Sequence, residues 1–364
     1  MNRLIVCTFY DKDGIVDKYV FHLLKSFLKV SSKLVLLVNG GLKEDATRCL
    51  SGMHVTVLIR ENMGFDSGAY KWFFTENPLK EKWADYDEVL LTNTTYFGPF
   101  FLWNNYFDFM NSIETDFWGL SVHPGGTLKN GIHFSRHVQT YFLAVRKSML
   151  LSPSFFDYWA NLHLPTCRLE ATLNFELTFT DFFASKGFSY TSWLDEQGLC
   201  FEHGTNPYNC QRLPELIKKY DFPLLKIKNF RPPNFMALTE ILSYLEERRL
   251  YDHNLIWDAL KRTGTEKAWN LRALDDFVRS HDTIYIYGAG NYGKGVAEYL
   301  EKIHGKRGAF VVTRKESVDD GAITFEQLRM KDNDGLVVAI ADGEIRAEII
   351  SCISKTVPLG PLFI

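Results

Sequence analysis

Lysine and arginine nowhere run five or more together, and the 364-residue chain carries a formal charge of only -3. Without a basic arm there is no bulk attraction to a phosphate backbone, so no nucleic acid is expected among the partners. Six cysteines are present (Cys7, Cys49, Cys167, Cys200, Cys210 and Cys352), and none forms a C-x-x-C pair. That scatter excludes the usual zinc and dithiol spacings and reads as free thiols in a reducing compartment. No stretch approaches the ~18 uninterrupted apolar residues of a membrane span. The opening MNRLIVCTFYDKDG has an apolar run stopped by Asp11, Lys12 and Asp13, without the long h-region of a signal peptide. The expected location is the cytoplasm, with any membrane contact peripheral and at the inner face. A fixed-period repeat and a low-complexity tract are also missing.

What is there suits a folded chain of two domains at ~100–200 residues each. Hydrophobic residues make up 46% and charged ones 23%, which leaves no case for disorder. Aromatic residues reach 15%, the signature of an aromatic core whose exposed members also stack on sugars and bases. The runs RLIVCTF (3–9), KLVLLVN (33–39), HVTVLIR (54–60) and EVLLT (88–92) read as buried parallel strands. Between the first two, Val20, Leu23, Leu24, Phe27 and Leu28 repeat at helical spacing. Strand and helix in alternation predict an α/β sheet covered on both faces.

After residue 100 the alternation gives way to a strand expected over 138–146 and a helix near 172–186 ended by Gly187. RPPN at 231–234 breaks the chain, amphipathic helices follow to about residue 280, and the βα pattern then resumes. The expected layout is an α/β domain over 1–232, a helical connector over 233–280 and a small Rossmann-like α/β domain over 281–364.

Two stretches carry the chemistry. In ENMGFDSGAYKW (61–72), Gly64 and Gly68 allow a turn or close backbone approach, while Asn62 and Asp66 can bond a base or ribose. A tight βα turn with Asp66 near a helix N-cap accounts for the same residues. In DYDEVLLTNTTYFGPF (85–100), a buried strand delivers Asn93, Thr94 and Thr95 to its carboxyl end, where ligands of open α/β sheets bind. Three adjacent polar side chains there suit a diphosphate or sugar hydroxyls, and equally a local turn. HFSRH places His133 and His137 four apart, but ahead of a strand and not on a helix, so zinc is rejected.

ENMGFDSGAY and DYDEVLLTNTTYFGPF, followed by FWGL (117–120), HVQTYFLAVRKSML (137–150) and FPLLKIKNFRPPN (222–234), together resemble the rhamnan synthesis F family. The resemblance runs in order over about the first 235 residues. It implies a bacterial glycosyltransferase with a nucleotide-sugar-binding fold of the GT-A type, acting in surface polysaccharide synthesis (rhamnan, capsule, cell wall or O-antigen). Asn62, Gly64, Asp66 and the Asn93–Thr95 triplet would hold a UDP- or dTDP-sugar donor, with Thr8 and Asn39 near the base. The acceptor would be lipid-linked or an oligosaccharide. Many GT-A enzymes carry Asp-x-Asp where this chain has Asn93-Thr94-Thr95, and the family's own acid there is replaced by Thr94. Neutral oxygens make a weak Mg²⁺ or Mn²⁺ site, so no metal ligand is expected. Lys71, Arg136, Arg146 and Lys147 are then candidates for the leaving diphosphate. Glu176, in NFELTFTDFFASKG, would be the general base of an inverting transfer, with Asp181 and Asp195 as alternatives. His137 and His203 are further acceptor-site candidates.

The terminal GAGNYG follows a strand and opens a helix, so Gly288, Gly290 and Gly293 stand where a nucleotide fingerprint belongs. VVTRK, after the next strand, lacks the acid that should hold an adenosine ribose, although Arg314 suits a phosphate. A docking or regulatory role, in a homo-oligomer or an assembly complex, is the expectation for this domain, with nucleotide binding as the alternative. Two rival classes follow: an oxidoreductase or epimerase of nucleotide sugars centred on GAGNYG, and a non-catalytic scaffold of a polysaccharide-assembly complex.

Overall fold

The computed structural model describes all residues except 129–130, 205–211, 231–234, 264–270, 314–320, 341–342 and 354–364. Cys210, Arg314 and the RPPN segment therefore lie outside the described residues. The chain divides into two compact units, Met1–Leu225 and Lys226–Ile364.

The first unit is built on a seven-stranded sheet. Its strands are β1 (Arg3–Phe9), β2 (Lys33–Asn39), β3 (Thr56–Arg60), β4 (Glu88–Asn93), β5 (Phe117–Gly119), β6 (Phe142–Arg146) and β7 (Tyr190–Ser192), in the spatial order β7-β5-β6-β4-β1-β2-β3. The four strands β1 to β4 are mutually parallel, as their continuous apolar runs predict, so all four end on one edge. β6 enters antiparallel between β4 and β5, which brings Phe142 opposite Thr92 at that same edge.

Side chains alternate along a strand, and the alternation sorts the layers. Leu4 and Val6, Val35 and Leu37, Val89 and Leu91, and Leu143 and Val145 form one core with α3 (Phe65–Glu76), α5 (Pro153–Asn161) and α6 (Phe179–Ala184). The opposite face carries α1 (Lys18–Phe27) and α4 (Trp103–Asn111), where Trp103 stacks on both Phe27 and Phe142. At the amino end of β4 the fully buried Glu88 accepts from Arg3 Nε at 2.6 Å and Trp118 Nε1 at 2.8 Å, with Arg146 Nε 3.7 Å away.

Two expected elements are shorter than their apolar patterns. The strand expected over 138–146 spans 142–146, because Ser121 draws Gln139 and Tyr141 aside by hydrogen bonds of 2.9 and 3.0 Å. His137–Val138 pairs instead with Val122–His123. The helix expected near 172–186 is α6 alone, preceded by a π-helical turn, Thr172–Glu176. Thr172 and Thr178 bond back to the carbonyls of Arg168 and Asn174, a local alternative that competes with regular helix.

The second unit holds four parallel strands, β8 (Thr283–Tyr287), β9 (Ala309–Val312), β10 (Ile323–Thr324) and β11 (Asp334–Val338), in the order β10-β9-β8-β11. Helix α9 (Leu271–Ser280) lays Leu274, Phe277 and Val278 against Ile284, Ile286 and Val337 of this sheet. That shared core explains why the helices expected as a connector belong to the same unit as the closing sheet.

Candidate functional site

The α3-facing rows of three strands end in polar residues: Leu4, Val6, Thr8 in β1; Val35, Leu37, Asn39 in β2; Val89, Leu91, Asn93 in β4. Period-two alternation thus carries three hydrogen-bonding side chains to the rim under the start of α3. Thr8 and Asn93 lie side by side in register. Asp66, in the first turn of α3, meets both: its Oδ1 accepts from Thr8 Oγ1 at 2.7 Å and its Oδ2 from Asn93 Nδ2 at 2.9 Å. Asn93 Oδ1 in turn accepts from the backbone N–H and the hydroxyl of Thr95, at 3.1 and 2.7 Å. Thr94 is buried, and its carbonyl accepts from the Tyr19 hydroxyl at 2.9 Å.

Burial raises the Asp66 pKa above the usual carboxylate range, while the bonds from Thr8 and Asn93 pull it back. The Asp66 charge in turn adds to the upward push that burial gives the Cys7 thiol and the Tyr70 hydroxyl. Tyr70, one turn further along α3, donates to Thr92 O at 2.6 Å and fixes the helix on the strand end.

The turn into α3 is strained. Gly64 and Phe65 both have positive φ, 72° and 54°, and such a conformation at a non-glycine residue costs of order 1–3 kcal/mol. Asn39 Nδ2 holds Phe65 O at 3.3 Å. A Cβ on Gly68 would stand 2.3 Å from Met63 O, so the second glycine is required by close approach of the loop to the helix. Asn62 is exposed on this loop.

Arg60, which the sequence reading passed over, closes β3 at the same rim. Its guanidinium donates to Asn39 Oδ1 at 2.5 Å and to Met63 O at 3.0 Å. Burial lowers its pKa, and the neighbouring Glu61 opposes the shift. The signal was an arginine ending an apolar strand immediately before ENMG.

The expected phosphate ligands sit elsewhere. Lys71 Nζ caps α5 by donating to Ala160 O and Leu162 O at 2.6 and 2.9 Å. Arg146 and Lys147 lie at the amino end of β4, where Arg146 pairs opposite Glu88 and the Lys147 backbone donates to Asp87 O. Arg136 binds Asp195 at 2.7 Å beyond the β7 edge, which also commits that alternative base. Lys71, Arg136 and Arg146 thus satisfy local carbonyls or a local acid, which charge pattern along the chain does not reveal, while Lys147 is exposed at the far end of β4.

Glu176 ends the π-helical turn, whose hydrogen bond from Leu177 N to Thr172 O measures 3.0 Å. The widened turn keeps Phe175 in the core, 6.1 Å from the Tyr70 ring, and leaves Glu176 half-buried. Its charge reaches Tyr141, whose pKa is raised chiefly by burial, opposed by Ser121 and raised further by Glu176. Tyr141 O accepts from Thr92 Oγ1 at 2.9 Å, which ties the residue that Glu176 influences to the end of β4. Among the described residues its carboxylate accepts no hydrogen bond. Asp181 is exposed in the first turn of α6.

His137 is buried, donates through Nδ1 to Ser135 O at 2.9 Å, and stacks on His123 with 5.3 Å between centroids. His133 bonds Thr127 and points to no shared ligand with it, and His203 is exposed in a turn. No group of three or more His, Cys, Asp or Glu suited to a metal occurs among the described residues. At the rim, Asn93 Oδ1 already takes two donors and Asp66 supplies the charge of the hydrogen-bonded group alone, which does not fit an Mg²⁺ or Mn²⁺ site.

In the second unit Gly288 has φ 110°, and a Cβ there would stand 2.7 Å from Ala339 O. Gly293 lies so near Gly288 O that a Cβ would fall 1.7 Å away, while Gly290 caps α10 (Asn291–His304) with open space beside it. Gly288 and Gly293 are thus explained by close packing at a topological switch point, β8 having neighbours on both sides, whereas packing does not require Gly290.

Polar side chains gathered at the carboxyl ends of parallel strands, beneath a helix N-terminus, are the arrangement at which open α/β sheets bind ligands. The sequence matches the family described as Rhamnan synthesis protein F over residues 34–286, more than half of the chain, and the chain belongs to that family. It is similar to the uncharacterized protein y4gN of Sinorhizobium fredii (strain NBRC 101917 / NGR234), with 21% identity over 327 residues, 87% of this chain and 74% of that protein. Among solved structures, the apo-form glycosyltransferase GlyE of Streptococcus pneumoniae TIGR4 is 11% identical with a TM-score of 0.35, covering 97% of this chain and 99% of that one. HddC from Yersinia pseudotuberculosis is 12% identical with a TM-score of 0.32, over 53% of this chain and 90% of that one. Structural likenesses that distant carry no weight, and the assignment rests on the sequence match. Family membership supports a glycosyltransferase of polysaccharide synthesis. Among the described residues no helix is long and apolar enough to cross a membrane.

Proposed function

We propose that this chain transfers a sugar from a nucleotide-diphosphate donor, a UDP- or dTDP-sugar, to a lipid-linked or oligosaccharide acceptor of a cell-surface polysaccharide. The observation that carries the reading is the bonded group Thr8–Asp66–Asn93–Thr95 at the ends of β1 and β4. A carboxylate offers about four acceptor positions, and two of those on Asp66 are taken by Thr8 and Asn93. The remainder suit a base N–H or a ribose hydroxyl. Arg60 and the N–H groups that open α3 supply positive potential for the diphosphate without a metal. Glu176 takes the proton of the acceptor hydroxyl as its oxygen attacks the anomeric carbon and the nucleoside diphosphate leaves, with inversion in a single displacement.

The test is thermal unfolding of the full chain with UDP, dTDP, GDP, CDP and NAD(P), each with EDTA and with Mn²⁺. A ligand bound by the native state raises the midpoint. Stabilisation by UDP or dTDP that persists in EDTA and is lost in Asp66→Ala supports the reading. A response to NAD(P) alone moves the chemistry to the second unit and overturns it. Glu176→Gln should keep donor stabilisation while turnover falls by about 10²–10⁴; unchanged turnover removes Glu176 from the mechanism.

A further inference from the structure

A groove of about 700 Å³ opens between α5 and the segment running from the π-helical turn into α6, and none of its lining residues belongs to the rim described above. Its walls are the rings of Tyr158 and Phe182 and the polar side chains of Asp157, Asn161, Asn174 and Lys186, with His163 and Thr178 beside them. We propose that this groove binds a neutral oligosaccharide, the acceptor or product chain of the transferase, at a site separate from the reaction centre. The identity of the chain rests on the transferase reading; carbohydrate recognition by the groove does not.

Three observations carry it. First, sugars present apolar C–H faces edged by hydroxyls, so their sites pair an aromatic ring with amide, carboxylate and hydroxyl groups. Phe182 is half-buried and packs 5.0 Å from Tyr158, a ring already braced by the core, and Lys186 Nζ lies 5.0 Å over the Phe182 ring, so a sugar would stack beside that cation or displace it. Second, three polar groups are uncommitted: among the described residues the Asp157 carboxylate, the Asn174 amide and the His163 ring make no hydrogen bond, whereas the Asn161 amide donates to Asp157 O at 2.8 Å. Tyr158, only 7% exposed, has a buried hydroxyl without a partner, its neighbour Thr178 donating instead to Asn174 O at 2.8 Å. An unpaired buried polar atom costs free energy that a ligand hydroxyl or a water it brings would recover. Third, Asp157 and Lys186 balance in charge, which disfavours a polyanion and suits an uncharged chain.

The position adds the functional link. Asn174 and Thr178 lie two residues to either side of Glu176 on the same segment. A glycan held in the groove therefore grips the element that carries the proposed base.

The test titrates the full chain with a short rhamnan oligosaccharide and with a dextran oligosaccharide by calorimetry. The wild type should bind one of them, and Phe182→Ala should weaken binding roughly tenfold, the range of one aromatic contact. The exposed Asn161→Ala provides a second variant that leaves the core intact and should weaken it severalfold. In both variants the response to UDP or dTDP should be unchanged, which reports a folded donor site. Failure of the wild type to bind either probe, or equal affinity in both variants, overturns the proposal. Oligosaccharide binding at the groove without any response to diphosphates would leave the glycan site standing and remove the transferase reading.

Discussion

Replacing Asp66 separates stability from function, and two substitutions do so in opposite ways. In Asp66→Ala the hydroxyl of Thr8 and the amide of Asn93 both lose their acceptor. Thr8 and Asn93 are buried, and each unsatisfied buried donor costs ~1–3 kcal/mol, so a loss of roughly 2–4 kcal/mol is expected after partial relaxation. In Asp66→Asn both contacts survive: the new amide oxygen accepts from Asn93, and the new NH₂ donates to Thr8 Oγ1, whose own proton turns to Thr92 O, 3.4 Å away. The neutral side chain also avoids the desolvation that raises the Asp66 pKa. With a raised pKa the native state holds the proton more tightly than the unfolded chain, so the stabilisation is full below the ordinary carboxyl value of ~3.9 and lost as pH rises through the native value. Near pH 7 the asparagine variant should therefore be at least as stable as the wild type to within about 1 kcal/mol. Its advantage should shrink as the pH falls toward 4. Both variants should bind UDP or dTDP about 10–100-fold more weakly, the loss of a charged hydrogen bond. Urea unfolding followed by tryptophan fluorescence between pH 4 and 8, with diphosphate titrations alongside, reads all of this. An asparagine variant as unstable as the alanine variant, or one with unchanged diphosphate affinity, would show that the carboxylate serves the fold alone.

Three further outcomes follow from neighbouring geometry. Arg60→Ala should weaken diphosphate binding by about tenfold or more and flatten its salt dependence, measured by titration at two ionic strengths. Glu88→Ala strips a fully buried carboxylate from Arg3 and Arg146 and should cost about 3–5 kcal/mol in denaturant unfolding. The diphosphate affinity of the folded fraction should not change, because Glu88 stands at the far end of β4. Gly68→Ala drives a methyl against Met63 O, 2.3 Å away, and should cost ~1–3 kcal/mol while loosening the donor loop; wild-type stability and affinity would contradict the close approach.

The parallel strands were legible because burial on both faces writes itself as unbroken Val, Leu and Ile, and each of the four leading strands appears within two residues of its apolar run. The meeting of Asp66 with Thr8 and Asn93 was legible only as a set of strand ends. Which rim residues touch depends on register, and register is not written in any one segment. The cations were the least legible part. Lys71, Arg136 and Arg146 looked available because sequence shows charge without showing carbonyls, and folding placed the end of α5, Asp195 and the end of α4 beside them. The π-helical turn left no periodic signal, since one widened turn in a short segment only blurs a 3.6-residue pattern.

The two ends of β4 show why one rim is suited to chemistry and the other is not. At the amino end Glu88 is fully buried and satisfied by Arg3 and Trp118, so its charge is spent on holding strands and helices together. At the carboxyl end Asn93 is held by a carboxylate that keeps spare acceptor capacity, under a loop strained at Phe65 and beside a half-buried arginine. Packing alone would favour apolar residues at Thr8, Asn39 and Asn93, since the rows they end are apolar up to that point. Three such rows turning polar at the same rim, beneath a helix N-terminus, set buried donors and acceptors under Asp66 and the loop that precedes it. A stable but empty fold would need none of these features, and the proposed donor site accounts for their coincidence at one edge better than any single residue does.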